Sequence, residues 1–259
     1  MQRDNTYHYT GSRSALYKPF GGISADVLRI LALLFMLLDH LWATIIPGGF
    51  WMTCVGRMTF PIFAFQLTEG FIYTSDRKRY ALRLLIFALI SEIPFNLIQG
   101  SSIFYPFHQN VIFTLLLGFV ALLGVERAER GGVKQIATGI LIVLLALLLS
   151  AVGFVDYGPL GILTVLIFYI FRRLPYTRLW ELAAMILLNV VLFEGQTLPL
   201  TLAGHEFFFP VQGFAVFSMF FIWLYNGQKQ IHSRAFQYGC YIFYPAHLLV
   251  LYFLFEALT

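Results

Sequence analysis

The chain has 259 residues, of which 59% are hydrophobic and only 12% charged, where soluble domains carry roughly 25% charged residues, so an ordinary soluble globular protein is excluded. The formal net charge of +4 comes from basic residues spaced as membrane topology requires rather than gathered as a nucleic-acid footprint, which excludes nucleic acid as a partner and implies membrane lipid. The expected fold class is all-α, a polytopic integral membrane protein.

Residues 1–24 read as a polar and aromatic cytoplasmic tail carrying Arg3, Arg13 and Lys18. No small-residue cleavage site follows the first apolar stretch, so the tail is not read as a cleavable signal peptide. Residues 25–259 read as one transmembrane helical domain of about nine spans. These run from Val27 to Ile46, Trp51 to Tyr73, Ala81 to Ile98, Val111 to Val125, Ile136 to Phe154, Leu160 to Phe171, Leu179 to Phe193, Phe208 to Tyr225 and Phe236 to Ala257. Several are shorter than the about 20 residues a straight span needs, and the sixth and seventh suit tilted or partly re-entrant segments.

With the tail inside, the inner loops hold Arg77, Lys78, Arg79 and Arg83, then Arg127, Arg130 and Lys134, then Arg172, Arg173 and Arg178, then Lys229 and Arg234. The intervening outer loops hold no Lys or Arg, and Arg57 alone departs from the pattern. The positive-inside rule therefore puts the N-terminus inside and the C-terminus outside. The same topology puts Cys54 near the outer face and Cys240 near the inner face, so no disulfide is expected between them.

Ionisable residues inside apolar spans are costly, about 2.5–3.5 kcal/mol each on insertion scales, and mark candidate sites. The first two spans form an antiparallel hairpin about Pro47-Gly48-Gly49; counting outward at equal rise puts His40 level with Arg57 and Arg29 level with Glu69. Arg29 and His40 lie eleven residues apart, so they share a helix face with about 16 Å between them. An outer station of Asp39, His40 and Arg57, joined from the third span by Glu92, and an inner station of Arg29 with Glu69 are expected. Pro61 and Pro94 interrupt helix hydrogen bonding beside them. A structural ion pair is the plainer reading of Arg29 with Glu69, and His247 in the last span is evenly balanced between packing and function.

The runs LLDH, VGRMTFPIFAFQLTEGF, RYALRLLIFALISEIPFNL, NVIFTLLLGF and FYPAHLLVLYF, in that order, resemble the TraX family, named for a protein linked to N-terminal acetylation of conjugative pilin. The likeness runs from about Val27 onward and is weakest between about Gly131 and Phe207, where VDYGPLGIL stands out. The ten residues separating Arg29 from His40 are similar to the arrangement in the first span of acyltransferase type 3 membrane enzymes, a wider group that includes lysosomal glucosaminide N-acetyltransferases. The resemblance implies a bacterial cytoplasmic-membrane enzyme that moves an acetyl group from cytosolic acetyl-CoA to an extracytoplasmic acceptor: a pilin or peptide amine, or a glycan or lipid hydroxyl.

Acyl transfer needs a base, cationic donors and exclusion of water. His40 is the expected base, Arg57 the oxyanion or substrate contact, and Asp39 or Glu92 the group that orients the imidazole. Arg29, Glu69, Arg77, Lys78 and Arg79 are the expected donor-binding set on the inner side, the cations engaging CoA phosphates. His108, Asp156, His205, Glu206 and His247 are candidate acceptor contacts. Direct transfer and an acetyl-histidine intermediate both remain open. No metal-ligand spacing, Gly-rich phosphate loop or Ser or Cys nucleophile motif is present. The same buried residues suit a proton-coupled transporter or flippase, or a non-enzymatic envelope or pilus assembly factor.

Overall fold

Local signals start each helix where the chain has them. Ser24 caps α1 (Ala25–Thr44), its hydroxyl accepting from the Val27 amide; Asp76 caps α4 (Arg77–Gly100) and Asn110 caps α5 (Val111–Glu129) in the same way. Each cap satisfies an amide that the first helical turn leaves unpaired. This computed structural model describes residues 22–202 and 204–258, so Arg3, Arg13 and Lys18 of the expected tail lie outside the described residues.

The second expected span is not one helix. It is two, α2 (Phe50–Gly56) and α3 (Thr59–Tyr73). Pro61 is the cause: it has no amide to offer the carbonyl of Arg57 four residues back, and its ring crowds that carbonyl, so the helix stops at Arg57 and restarts with Pro61 in its first turn. Beyond α5 follow α6 (Val133–Val152), α7 (Gly158–Ile170) with a 3-10 turn at Phe171–Arg173, and α8 (Thr177–Ile186), which widens into a π-helix at Leu187–Leu192.

Among the described residues the chain is mostly helical, as expected of an all-α membrane protein, with one two-stranded exception. Thr197–Leu202 and His205–Pro210 form two antiparallel strands, β1 and β2, with Thr197 opposite Pro210 and Leu202 opposite His205. Gly204, at φ +79, supplies the left-handed backbone that their tight turn requires. The eighth expected span therefore opens as a strand, passes through a 3-10 segment (Val211–Phe217) and only then becomes α9 (Ser218–Trp223). The last helix, α10 (Arg234–Leu258), is continuous through Pro245.

Among the described residues five helices are long and apolar enough to cross a membrane: α1, α4, α5, α6 and α10. They match the first, third, fourth, fifth and ninth expected spans. At the centre is α3, nine of whose fifteen residues are buried, packed on α1, α5 and α7. Phe71 of α3 meets Phe119 of α5 edge to face with ring centroids 5.1 Å apart. By contrast, α6 exposes Ile140, Leu141, Leu144, Leu145, Leu148 and Leu149, the surface expected of a helix facing lipid. It touches α5 through glycines: a Cβ on Gly139 would lie 2.4 Å from the Gly124 carbonyl, so the two backbones approach as only small residues permit.

Backbone bonds close the two ends of the bundle. At one, the Ile23 amide donates to Leu224 O, the Ala25 amide to Gln228 O, and the buried Asp26 carboxylate accepts from the Gln230 and Ile231 amides at 2.7 Å each. At the other, the Gln109 amide donates to Phe154 O and the Asp156 amide to Gln109 O, both at 2.9 Å.

Candidate functional site

The break between α2 and α3 aims Arg57 at α1. One terminal nitrogen of its guanidinium donates to both carboxylate oxygens of Asp39, at 2.6 and 2.5 Å. The approach depends on Gly56, because a Cβ there would lie 2.4 Å from Asp39 Cβ. Arg57 Nε is buried with no partner among the described residues, a donor available to an incoming group. Tyr157, at the head of α7, and Asp156 share the electrostatic surroundings of Arg57, and Tyr157 stacks on Phe60 with ring centroids 4.0 Å apart.

His40, the next residue on α1, turns to α10. Its Nδ1 lies 2.7 Å from Nε2 of His247, and the other nitrogen of His247, Nδ1, lies 2.7 Å from the carbonyl oxygen of Phe243. His247 is 7% exposed and His40 half-buried. Tyr244 flanks both rings, at centroid distances of 6.4 Å from His40 and 5.8 Å from His247. The expected level of His40 with Arg57 is thus found, but neither carboxylate orients the imidazole: Asp39 is committed to Arg57. Glu92 accepts from the Asn110 side chain at 2.5 Å and from its backbone amide at 3.4 Å, bracing the start of α5.

Farther along the same end, His108 Nε2 lies 3.5 Å from the Asp156 carboxylate. The Asp156 hydrogen bond, supported by the charges of Asp156 and Glu92, raises the His108 pKa above its usual value against the opposing effect of burial. His205 and Glu206 sit exposed beside the turn of the β-hairpin, with no hydrogen bond to the paired histidines among the described residues.

The other end holds a cavity of about 430 Å³. Arg29, Arg83 and Lys229 line it together with Glu69, and Tyr80, Tyr225 and Tyr241 are among its aromatic walls. Arg29 and Glu69 therefore do share a level. Their expected pairing does not form: Glu69 takes the guanidinium of Arg172, which also donates to the Tyr73 hydroxyl at 3.1 Å. With Glu69 neutralised from outside, Arg29, Arg83 and Lys229 make the cavity electropositive. Of the expected cationic cluster, Arg77 pairs with Glu126 at 2.5 Å and Arg79 with Asp76 at 3.3 Å, while Lys78 is exposed; none lines the cavity. Arg77 is taken up by Glu126 in the last turn of α5, and Arg79 by Asp76, the N-cap of α4.

Sequence reasoning treated Arg83, Arg172 and Lys229 only as topology markers and missed Tyr157, Tyr244 and Asp26. A signal existed for Asp26, an acid in the first turn of an apolar helix. Arg83 lies one helical turn beyond Arg79, on α4, which packs against α10.

The sequence profile of the TraX protein matches residues 24–255 of the chain. The chain is also similar to a Dichelobacter nodosus protein described as a probable fimbrial assembly protein FimC, serogroup H1, at 30% identity over 241 residues that cover 88% of this chain and 94% of that one. No solved structure matches it. The profile covers every helix described above, with the end of α10 excepted, and takes in both the paired histidines and the electropositive cavity: the chain belongs to the TraX family.

Proposed function

We propose that this protein is a membrane-embedded acetyltransferase of the bacterial cytoplasmic membrane, taking acetyl groups from cytosolic acetyl-CoA and passing them to an extracytoplasmic acceptor. The supporting observation is the placement of two stations on one face of α1: Arg29 in the wall of an electropositive cavity, and His40, about 16 Å farther along, hydrogen-bonded to His247. That separation is of the order spanned by an extended phosphopantetheine arm. Acetyl-CoA is a substrate that suits such a cavity, its phosphates meeting Arg29, Arg83 and Lys229 and its adenine the tyrosine rings, while the thioester extends toward His40.

In this reading the chain crosses the membrane about nine times, N-terminus inside and C-terminus outside, so the cavity opens to the cytosol and the Gln109 and Asp156 end faces outward. His40 accepts the proton of the attacking amine or hydroxyl, and Arg57 Nε supplies a donor for the oxygen on which negative charge develops. The acceptor is a pilin or peptide amine, or a glycan or lipid hydroxyl; the name of the Dichelobacter nodosus relative favours a pilus component. That name equally supports a second reading, an assembly factor without bond chemistry, in which the polar face of α1 binds a partner helix.

Calorimetry on the protein in nanodiscs separates the two. Saturable binding of acetyl-CoA is expected, weakened about 10- to 100-fold in Arg29→Ala, the loss of one charge-assisted contact of about 1.5–3 kcal/mol, and unchanged in His40→Ala. Absence of saturable binding by folded protein would overturn the acetyltransferase reading.

A further inference from the structure

We propose that His247 is a positioning residue that fixes His40 in the Nδ1–H tautomer and leaves His40 Nε2 as the basic atom of the site. The inference rests on the reading of His40 as the base and specifies the atom that acts. Its starting point is a backbone carbonyl. Phe243 O can only accept, so the His247 nitrogen 2.7 Å away, Nδ1, must carry a proton. In a neutral imidazole the other nitrogen is then a lone pair, so His247 Nε2 accepts, and His40 Nδ1, 2.7 Å away, is the donor. One proton remains accounted for on each ring, and His40 Nε2 is left unprotonated.

The ring geometry agrees. The two imidazole centroids are 4.9 Å apart and their planes 26° from parallel; with nitrogens at 2.7 Å this is an edge-to-edge approach along a lone pair rather than a face-to-face stack. Phe243 lies parallel to the His247 ring at 4.9 Å, and burial of His247 to 7% exposure leaves its ring little freedom to turn. The carboxylate beside His40, Asp39, is held by Arg57 through both oxygens, so it does not serve as the acceptor that would otherwise select the tautomer. Nothing among the described residues hydrogen-bonds His40 Nε2. The arrangement is that of a base oriented by a second group through its far nitrogen, with a neutral histidine in the orienting place.

The step balances with acetyl-CoA as donor. His40 Nε2 takes the proton of the attacking amine or hydroxyl as its nitrogen or oxygen bonds to the thioester carbonyl carbon. The C–S bond breaks, and the departing sulfur takes that proton from Nε2. His247 keeps its own proton on Nδ1, donated to Phe243 O, throughout.

The test is solid-state NMR on 15N-histidine-labelled protein in lipid, with His40 assigned by its loss in His40→Gln, alongside acetyl-transfer kinetics. The expected result is a protonated Nδ1 and an unprotonated Nε2 on His40. In His247→Leu that preference is lost and kcat falls by about 10²-fold or more, with KM for acetyl-CoA unchanged. In His247→Gln, whose amide oxygen can accept from Nδ1, both the tautomer and much of kcat return, which a packing defect would not allow. An Nε2–H tautomer in the parent, or an unaltered one in His247→Leu, overturns the proposal. If the tautomer is as expected but the parent transfers no acetyl group, the positioning geometry stands and the catalytic reading falls.

Discussion

Asp39 and Arg57 show how a single glycine can govern a half-buried ion pair. Their contact requires the Asp39 side chain to lie directly against the backbone of Gly56, and Arg57 to leave the helical path at the break that Pro61 imposes. A methyl group at residue 56 would push Asp39 away. Gly56→Ala is therefore expected to cost about 1–3 kcal/mol from overpacking, with a further penalty for parting two charges in a low-dielectric setting. Thermal unfolding in detergent checks this, and an Asp39→Asn background should absorb part of the loss, because the charge separation is then already gone. Equal losses in both backgrounds would show that Gly56 serves packing alone. The shared level of the two residues, though not their pairing, was legible in the sequence because the hairpin turn at Pro47-Gly48-Gly49 fixes the level of one helix against the other. The partner of His40 was not. It lies 207 residues away, and no local count sets the depth of α10 against α1. The same applies to Glu69, whose level was readable but whose partner, Arg172, arrives from 103 residues downstream.

Among elements, the long helices were legible and the interrupted ones only in part. Hydropathy and length located α1, α4, α5, α6 and α10, whose apolar runs are long enough to span even where the helix carries an internal proline, Pro94 in α4 and Pro245 in α10. The apolar run from Trp51 to Tyr73 concealed a break, because composition registers Pro61 only as a local interruption while its effect falls on a carbonyl four residues earlier. The β-hairpin was hidden by length: six-residue strands rich in Leu and Phe cannot be told from the end of a spanning helix by hydrophobicity alone. Packing between elements gives a sharper test. The contact of α5 with α6 relies on Gly124 and Gly139 lying backbone to backbone, with dispersion rather than hydrophobic burial holding helices together in lipid. Gly139→Leu should separate the two helices and lower the unfolding midpoint in detergent. Ile140→Leu, at an exposed neighbouring position, should leave it unchanged. Equal behaviour of the two variants would refute a close glycine contact.

The whole molecule sets two polar stations into one apolar body. Arg29 and His40 on α1 face Cys240 or Tyr241 and His247 on α10, so α1 and α10 run in the same direction, as an N-in, C-out arrangement with both crossing outward would require. Under the proposed function and topology, the electropositive cavity would serve the cytosolic side and the paired histidines the region toward the outer face, an ordering that would let a charged donor stay inside while its acetyl group moves outward. Acids hold several of the basic residues near the helix ends: Arg77 and Arg130 meet Glu126, and Arg173 meets Glu129. The central claim is that acetyl groups leave cytosolic acetyl-CoA and reach an outer acceptor through His40. Everted membrane vesicles from the native host, with the gene in its parent form, as His40→Ala or deleted, test it when [14C]acetyl-CoA is supplied to the exposed cytoplasmic face. The account predicts label fixed to material within the vesicle lumen by the parent, reduced about 10²- to 10⁴-fold in His40→Ala and absent without the gene. Lumenal labelling that is the same in all three would contradict it.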